Sequence, residues 1–323
     1  MTYIGLMSIC AKIRPAGPKA YQEALDILRA GGLVALPTET VYGLSGDASN
    51  DDAVRRIYAV KGRPAYNPLI AHVLSPDGAQ RFAHIPPLGQ ALITRYWPGP
   101  LTLVMPRKDS APISAHAGAG LDTIALRCPQ TPWARSFIEA GFDGALVMPS
   151  ANRSGRISPT TAEHVADDLG DTVDMIIDAG PCPIGVESTV VQINGDSGVM
   201  LRPGGISFAE LSAFDARITR PQRAQAITAP GMLKSHYAPR ARVRLNVKTP
   251  EPGEPHLGFG ACFTAPGLNL SKGGDVNEAA RNLFDFMRRL DTKYSLAVAP
   301  IPTDGIGAAI NDRLKRAAAE RDT

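Results

Sequence analysis

The chain has 323 residues, of which 44% are hydrophobic and 20% charged, with a formal net charge of +3; by length it reads as a soluble globular protein of two domains rather than one. No apolar run reaches the ~20 residues that a bilayer span needs, and the first twenty residues carry Lys12 and Arg14 without a cleavage site of small residues, so neither a signal peptide nor a membrane partner is expected and the cytoplasm is the expected location. Cys10, Cys128, Cys182 and Cys262 form no paired motif and the six histidines no HExxH, which leaves no protein-ligated metal site to expect.

From Gly32 to about Phe214, short runs rich in Val, Ile and Thr (LVALP, LIAHV, LTLVM, TIALR, ALVMP, MIID, STVVQI) alternate with helical stretches. That alternation predicts an α/β sheet domain over 1–214. Asn50 before Asp51 and Asp52 predicts a helix start, with Val54, Ile57 and Tyr58 as its apolar stripe and Gly62 as its end. Ser158 before Pro159 predicts a second start, and Ser207 with Glu210 a capping box.

Residues 215–239 hold three prolines and no hydrophobic period, which predicts an inter-domain linker. A small α/β domain is expected over 240–323. Its central helix carries Val276, Ala280, Leu283, Phe284 and Met287 on one face, and GIGAAINDRLKRAAA supplies a last helix. Between Asp215 and Glu251 no acid occurs, whereas Arg217, Arg220, Arg223, Lys234, Arg240, Arg242, Arg244 and Lys248 do. These cations leave the rest of the chain net acidic and point to an anionic partner, a nucleotide polyphosphate or RNA.

The dipeptide Gly-Lys and the GxGxxG pattern are both missing, and GLSGD around Ser45 is no hydrolase elbow, so the common nucleotide folds and serine hydrolysis are poor fits. What recurs instead is an apolar strand ending in a polar loop: Thr38 and Thr40, Ser150 and Asn152, Ser188 and Thr189, then Arg202. In open α/β sheets, loops at the carboxyl ends of strands build the ligand crevice. Lys61 and Arg63 lie just past a helix end, where they could serve as caps. Taken with the arginines elsewhere and the hydroxyls, they suit a polyphosphate and a small carboxylate. No nucleophile or acid/base pair accompanies them, so charge neutralisation and positioning, as in nucleotidyl transfer, is the expected chemistry.

LPTETVYGL, KGRPAYNPLIAHV, RYWPGPLTLV, GLDTIALRCP, PSAN, SPTTAEHV, GVESTVV and LRPGG, followed by APGMLKSHYAP, RNLFDFMRRLD and DGIGAAINDR, stand in an order that resembles the two-domain, YrdC-like threonylcarbamoyl-AMP synthases. The likeness runs from about Gly32 to about Arg313. It implies a twisted, mixed-sheet α/β catalytic domain with a positive concave site, and a smaller Rossmann-like domain after the linker. The implied reaction joins L-threonine, bicarbonate and ATP, with magnesium, into threonylcarbamoyl-AMP and releases pyrophosphate. Partner proteins would then carry the group to the adenosine beside the anticodon of tRNA, with room for weak contact to the tRNA itself.

By the same resemblance, Thr40, His72, Arg127, Met148 and Ser188 would hold L-threonine, Arg127 through its carboxylate and Met148 through backbone groups. Lys61, Arg63, Asn67, Thr123, Ser150, Asn152, Ser158 and Arg202 would surround ATP, with Lys61 and Arg63 facing the developing charge. Tyr237 would reach back from the linker as part of a lid. Leu233 and Ser235 depart from the basic or aromatic residues that the family's linker often carries there. A non-catalytic RNA-binding module is the alternative, but RNA modules interleave aromatics with their basic patches, and only Tyr237 lies among the cations named above.

Overall fold

The computed structural model describes residues 12–221, 236–291 and 294–319. Among these, eleven strands form one mixed sheet. In chain order they are β1 (Ile13–Pro15), β2 (Val34–Leu36), β3 (Gly43–Asp47), β4 (Ile70–Val73), β5 (Leu101–Pro106), β6 (Thr123–Arg127), β7 (Ala145–Val147), β8 (Met175–Asp178), β9 (Thr189–Asn194), β10 (Ser197–Arg202) and β11 (Ile218–Thr219). They lie side by side as β1-β8-β2-β3-β7-β4-β6-β5-β9-β10-β11. The helices of this part are α1 (Pro18–Arg29), α2 (Asp51–Lys61), α3 (Pro87–Tyr96), α4 (Pro132–Glu139), α5 (Ala162–Leu169) and α6 (Phe208–Phe214).

Local chemistry fixes the elements that carry the site. Asn50 caps α2 by accepting from the amides of Asp52 and Ala53, and Gly62 ends it in the left-handed region at φ 59°; a glycine adopts that conformation without a Cβ penalty. The helix therefore stops with Lys61 in its last turn and Arg63 just beyond. Ser207 caps α6 through the Glu210 amide. The start expected at Ser158–Pro159 is not there. Thr161 caps α5 instead, by accepting from the His164 amide, because Ser158 gives its hydroxyl to Glu187 and the Pro159 carbonyl accepts from the Tyr42 amide at 2.9 Å.

β11 also departs from the sequence reading. Ile218 and Thr219 pair with Gly198 and Val199, so the first sheet continues into the stretch read as linker, and Ile218 is buried beneath it. Residues 222–235, with Arg223, Leu233, Lys234 and Ser235, lie outside the described residues, as does Cys10.

The second unit is a parallel sheet of β12 (Arg242–Arg244), β13 (His256–Gly258), β14 (Gly267–Asn269) and β15 (Ser295–Val298), ordered β12-β15-β13-β14, with α7 (Val276–Arg289) and α8 (Gly307–Ala318). The expected face of α7 is the buried one, through Ala280, Leu283, Phe284 and Met287, while Val276 is half-buried. The second unit's apolar cluster takes in Val41, Ile157 and Val186 from the first. At Gly185 a Cβ would come within 2.4 Å of the Ala280 carbonyl oxygen in α7, so a side chain there would force the two units apart.

Candidate active site

Strand register puts a row of functional side chains across the middle of the sheet. His72 on β4 is opposite Arg127 on β6, Arg127 opposite Thr102 on β5, Thr102 opposite Val190 on β9, and Val190 opposite Arg202 on β10. Residues in register on neighbouring strands point to one face. Two places earlier on β4 and β6, and two later on β5, Ile70, Ala125 and Val104 join Val190 and Leu201 in an apolar cluster. The polar row thus borders an apolar floor.

Loops then close around the row. A cavity of about 50 Å³ is lined by Thr40, Arg63, His72, Arg127, Met148, Ser150, Ser188, Arg202 and Tyr237 among the positions expected from sequence, and also by Glu187 and His236. A wider groove of about 900 Å³ lies beyond the Thr38–Glu39 segment, walled in part by prolines such as Pro98, Pro129 and Pro181. It lacks convergent cations, so the smaller polar cavity is the candidate site.

Each cation has its own anchoring. Arg127 donates from Nε to the Gly99 carbonyl at 3.2 Å and from Nη1 to Thr40 Oγ1 at 3.0 Å, and its Nη2 lies 2.8 Å from Glu39 Oε1. That last contact is close but misaligned, and Nη2 makes no hydrogen bond. Arg63 donates to the carbonyls of Asn67 at 3.0 Å and Pro68 at 2.7 Å; burial holds its guanidinium down to about 10. Arg202 donates to the Ser188 carbonyl and hydroxyl. The Ser188 hydroxyl also lies 2.8 Å from that of Thr102.

Lys61 is outside the cavity lining. Its ammonium donates to the carbonyls of Ser150 and Asn152, and burial, followed by the neighbouring charge of Arg63, pushes it well below the usual lysine range. Lys61 thus holds the Ser150–Asn152 loop in place. Asn152 and Ser158 stand behind the lining, the first bonded to the carbonyls of Arg153 and Arg156 and the second to Glu187. Asn67 is fully buried, and its side-chain amide has no partner. Thr123 is four residues upstream of Arg127, in a separate hollow with Pro68 and Leu69.

His72 is neutral: burial, then the nearby charge of Arg127, pushes its imidazole far below the usual value. Its Nδ1 lies 3.2 Å from the Ile70 carbonyl. A carbonyl can only accept, so Nδ1 carries the proton and Nε2 is left as an acceptor.

Sequence reasoning missed Glu39, Thr102, Glu187, His236 and the role of Arg313. Arg313 on α8 is fully buried and pairs with Glu187 at 2.8 Å. Its guanidinium carbon lies 5.3 Å from the centre of the Tyr237 ring, within cation–π range. Tyr237, at φ 62°, stacks on Phe284 with ring centres 5.7 Å apart, and Ala238 donates to the Gly155 carbonyl. Burial opposes ionisation of Glu187, but Arg313 and Arg202 outweigh it and hold the carboxyl below its usual range.

A two-unit α/β protein with a small, cation-walled pocket on the strand ends is the class that this fold and site define. A family model described as Telomere recombination matches residues 26–204, and one described as Threonylcarbamoyl-AMP synthase, C-terminal domain, matches 206–319. Threonylcarbamoyl-AMP synthases of Pyrococcus abyssi and Bacillus subtilis are each 38% identical, the first over 92% of this chain and 94% of its own length, the second over 93% of both. The crystal structure of P. abyssi Sua5 complexed with L-threonine superposes with a TM-score of 0.86 at 35% identity, covering 95% of this chain and 97% of that one. The chain belongs to the two-domain Sua5/YrdC family of threonylcarbamoyl-AMP synthases.

Proposed function

We propose that the protein makes threonylcarbamoyl-AMP as a nucleotidyltransferase. The amine of L-threonine adds to bicarbonate and water leaves, giving a carbamate. A carbamate oxygen then attacks the α-phosphorus of ATP, and pyrophosphate departs with the bond electrons. The observation that carries this reading is the presence, in one cavity, of Arg127 with its hydroxyl neighbour Thr40, and of Arg63 and Arg202 with Ser188. The first set suits a small carboxylate and the second a polyphosphate. The attacking group belongs to the substrate, so the site needs no nucleophile of its own.

Arg63 and Arg202 stabilise charge that grows on the phosphoryl oxygens, with Ser150 and Asn67 beside the nucleotide and Lys61, Asn152 and Ser158 shaping the wall. Magnesium would accompany ATP and offset the charge of its phosphates. His72, kept neutral, accepts a hydrogen bond from L-threonine. A nucleotide site needs several hundred Å³, far above the roughly 50 Å³ present, so the His236–Tyr237 segment acts as a lid that withdraws to admit ATP. Arg63, Arg127 and Arg202 are each no more than 9% exposed, which disfavours a surface for gripping RNA. Among the described residues no helix is long and apolar enough to cross a membrane, in keeping with a cytoplasmic enzyme that hands its product to tRNA-modifying proteins.

The test is pyrophosphate release from ATP and magnesium, with and without L-threonine and bicarbonate. Release that depends on both is expected. Release indifferent to threonine would sink the proposal.

A further inference from the structure

The cations in and beside the cavity differ in what balances them. Lys61 and Arg63 donate to backbone carbonyls, and neither has an ion-pair partner among the described residues. Arg127 instead faces Glu39 at 2.8 Å, with both side chains more than nine-tenths buried. Glu39 lies on the far side of Arg127 from the cavity, on the wall shared with the proline-lined groove. It offsets the charge of the arginine through Nη2, which is turned to Glu39 without an aligned bond, and leaves Nη1 with Thr40 on the cavity side.

A neutralised guanidinium has a particular preference. The Nη1 hydrogen that Thr40 leaves free can bond any planar oxyanion, but the net attraction for charge is small. A monocarboxylate therefore loses little by settling there. A group with two or more charges meets the repulsion of Glu39 with no surplus cation to offset it. Arg63, held by carbonyl dipoles with no carboxylate against it among the described residues, attracts such a group strongly.

We propose that Glu39 is a specificity-determining residue that reserves Arg127 for a monocarboxylate and keeps phosphate groups out of the amino-acid end of the cavity. This rests on the two-anion reading of the site given above. Without Glu39 the cavity holds an additional uncompensated arginine, and a phosphate can sit where L-threonine should.

The experiment is calorimetric binding of L-threonine to the full chain without nucleotide, at rising inorganic phosphate. In the wild type the apparent Kd for L-threonine should change little. In Glu39→Gln it should rise in proportion to phosphate, by about tenfold or more at a phosphate excess, and Glu39→Asp should restore indifference. Equal phosphate sensitivity in wild type and Glu39→Gln would overturn the proposal, as would Glu39→Asp behaving like Glu39→Gln, since that would make shape rather than charge decisive. If Glu39→Gln does not fold, the wild type alone decides through the aminophosphonate analogue of threonine, whose head group carries two charges. Binding about tenfold weaker than that of L-threonine is expected, and equal binding overturns the proposal. No binding of L-threonine to the wild type would instead defeat the functional reading, and this inference with it.

Discussion

Arg313 of α8 and Glu187 of the first domain form an ion pair at 2.8 Å, Arg313 being completely buried. Glu187 lines the cavity, so a residue of the second domain fixes one wall of a site built on the first. Removing one partner of a buried pair leaves the other charge stranded, at a cost of about 3–5 kcal/mol. Arg313→Ala should lose stability of that order by urea denaturation, and pyrophosphate release should fall with it. Arg313→Ala paired with Glu187→Ala should recover part of the stability. If the double variant is no more stable than the single ones, the two charges are not coupled.

Arg127→Ala should raise the KM for L-threonine roughly 10- to 100-fold, because hydrogen bonds to charged groups contribute about 1.5–3 kcal/mol. The KM for ATP should move far less. A matching rise for both substrates would mean that the variant has deformed the whole cavity.

Lys61→Ala should destabilise the protein by about 1–3 kcal/mol, since the carbonyls of Ser150 and Asn152 would be left buried without their donor. Activity should fall as that loop loosens. A large loss of kcat with unchanged stability would place the ammonium on the phosphates rather than on the loop.

Stability should fall on mild acidification. His236 is pushed down to about 3 by burial, and His72 and His164 are also lowered. Below the unfolded value near 6.5 the unfolded chain binds protons that the folded one refuses, so stability present above that pH is lost as pH falls toward 3. Each such histidine costs up to about 1.4 kcal/mol per pH unit. His236→Asn should flatten the slope between pH 6.5 and 5 by one proton. An unchanged slope would show that His236 titrates normally.

The elements legible in the sequence were those governed by neighbours along the chain. The apolar runs gave strands, and Asn50, Gly62 and Ser207 marked helix ends where expected, because caps act over a few residues. Ser158–Pro159 misled because its groups are claimed by Glu187 and Tyr42, distant in sequence. Glu39 and Arg313 were opaque for the same reason: each draws its meaning from a partner more than eighty positions away. Lys61 and Arg63 were singled out together, and only the fold separates the one that props a loop from the one that faces the cavity.

A chamber of about 50 Å³ under Tyr237 also has a kinetic meaning. On the lid reading proposed above, a space this small must widen in every catalytic cycle to take a nucleotide, and neither product would leave faster than His236 and Tyr237 withdraw. Where that withdrawal is slower than phosphoryl transfer, the first turnover appears as a burst and the resting form under load is the product complex.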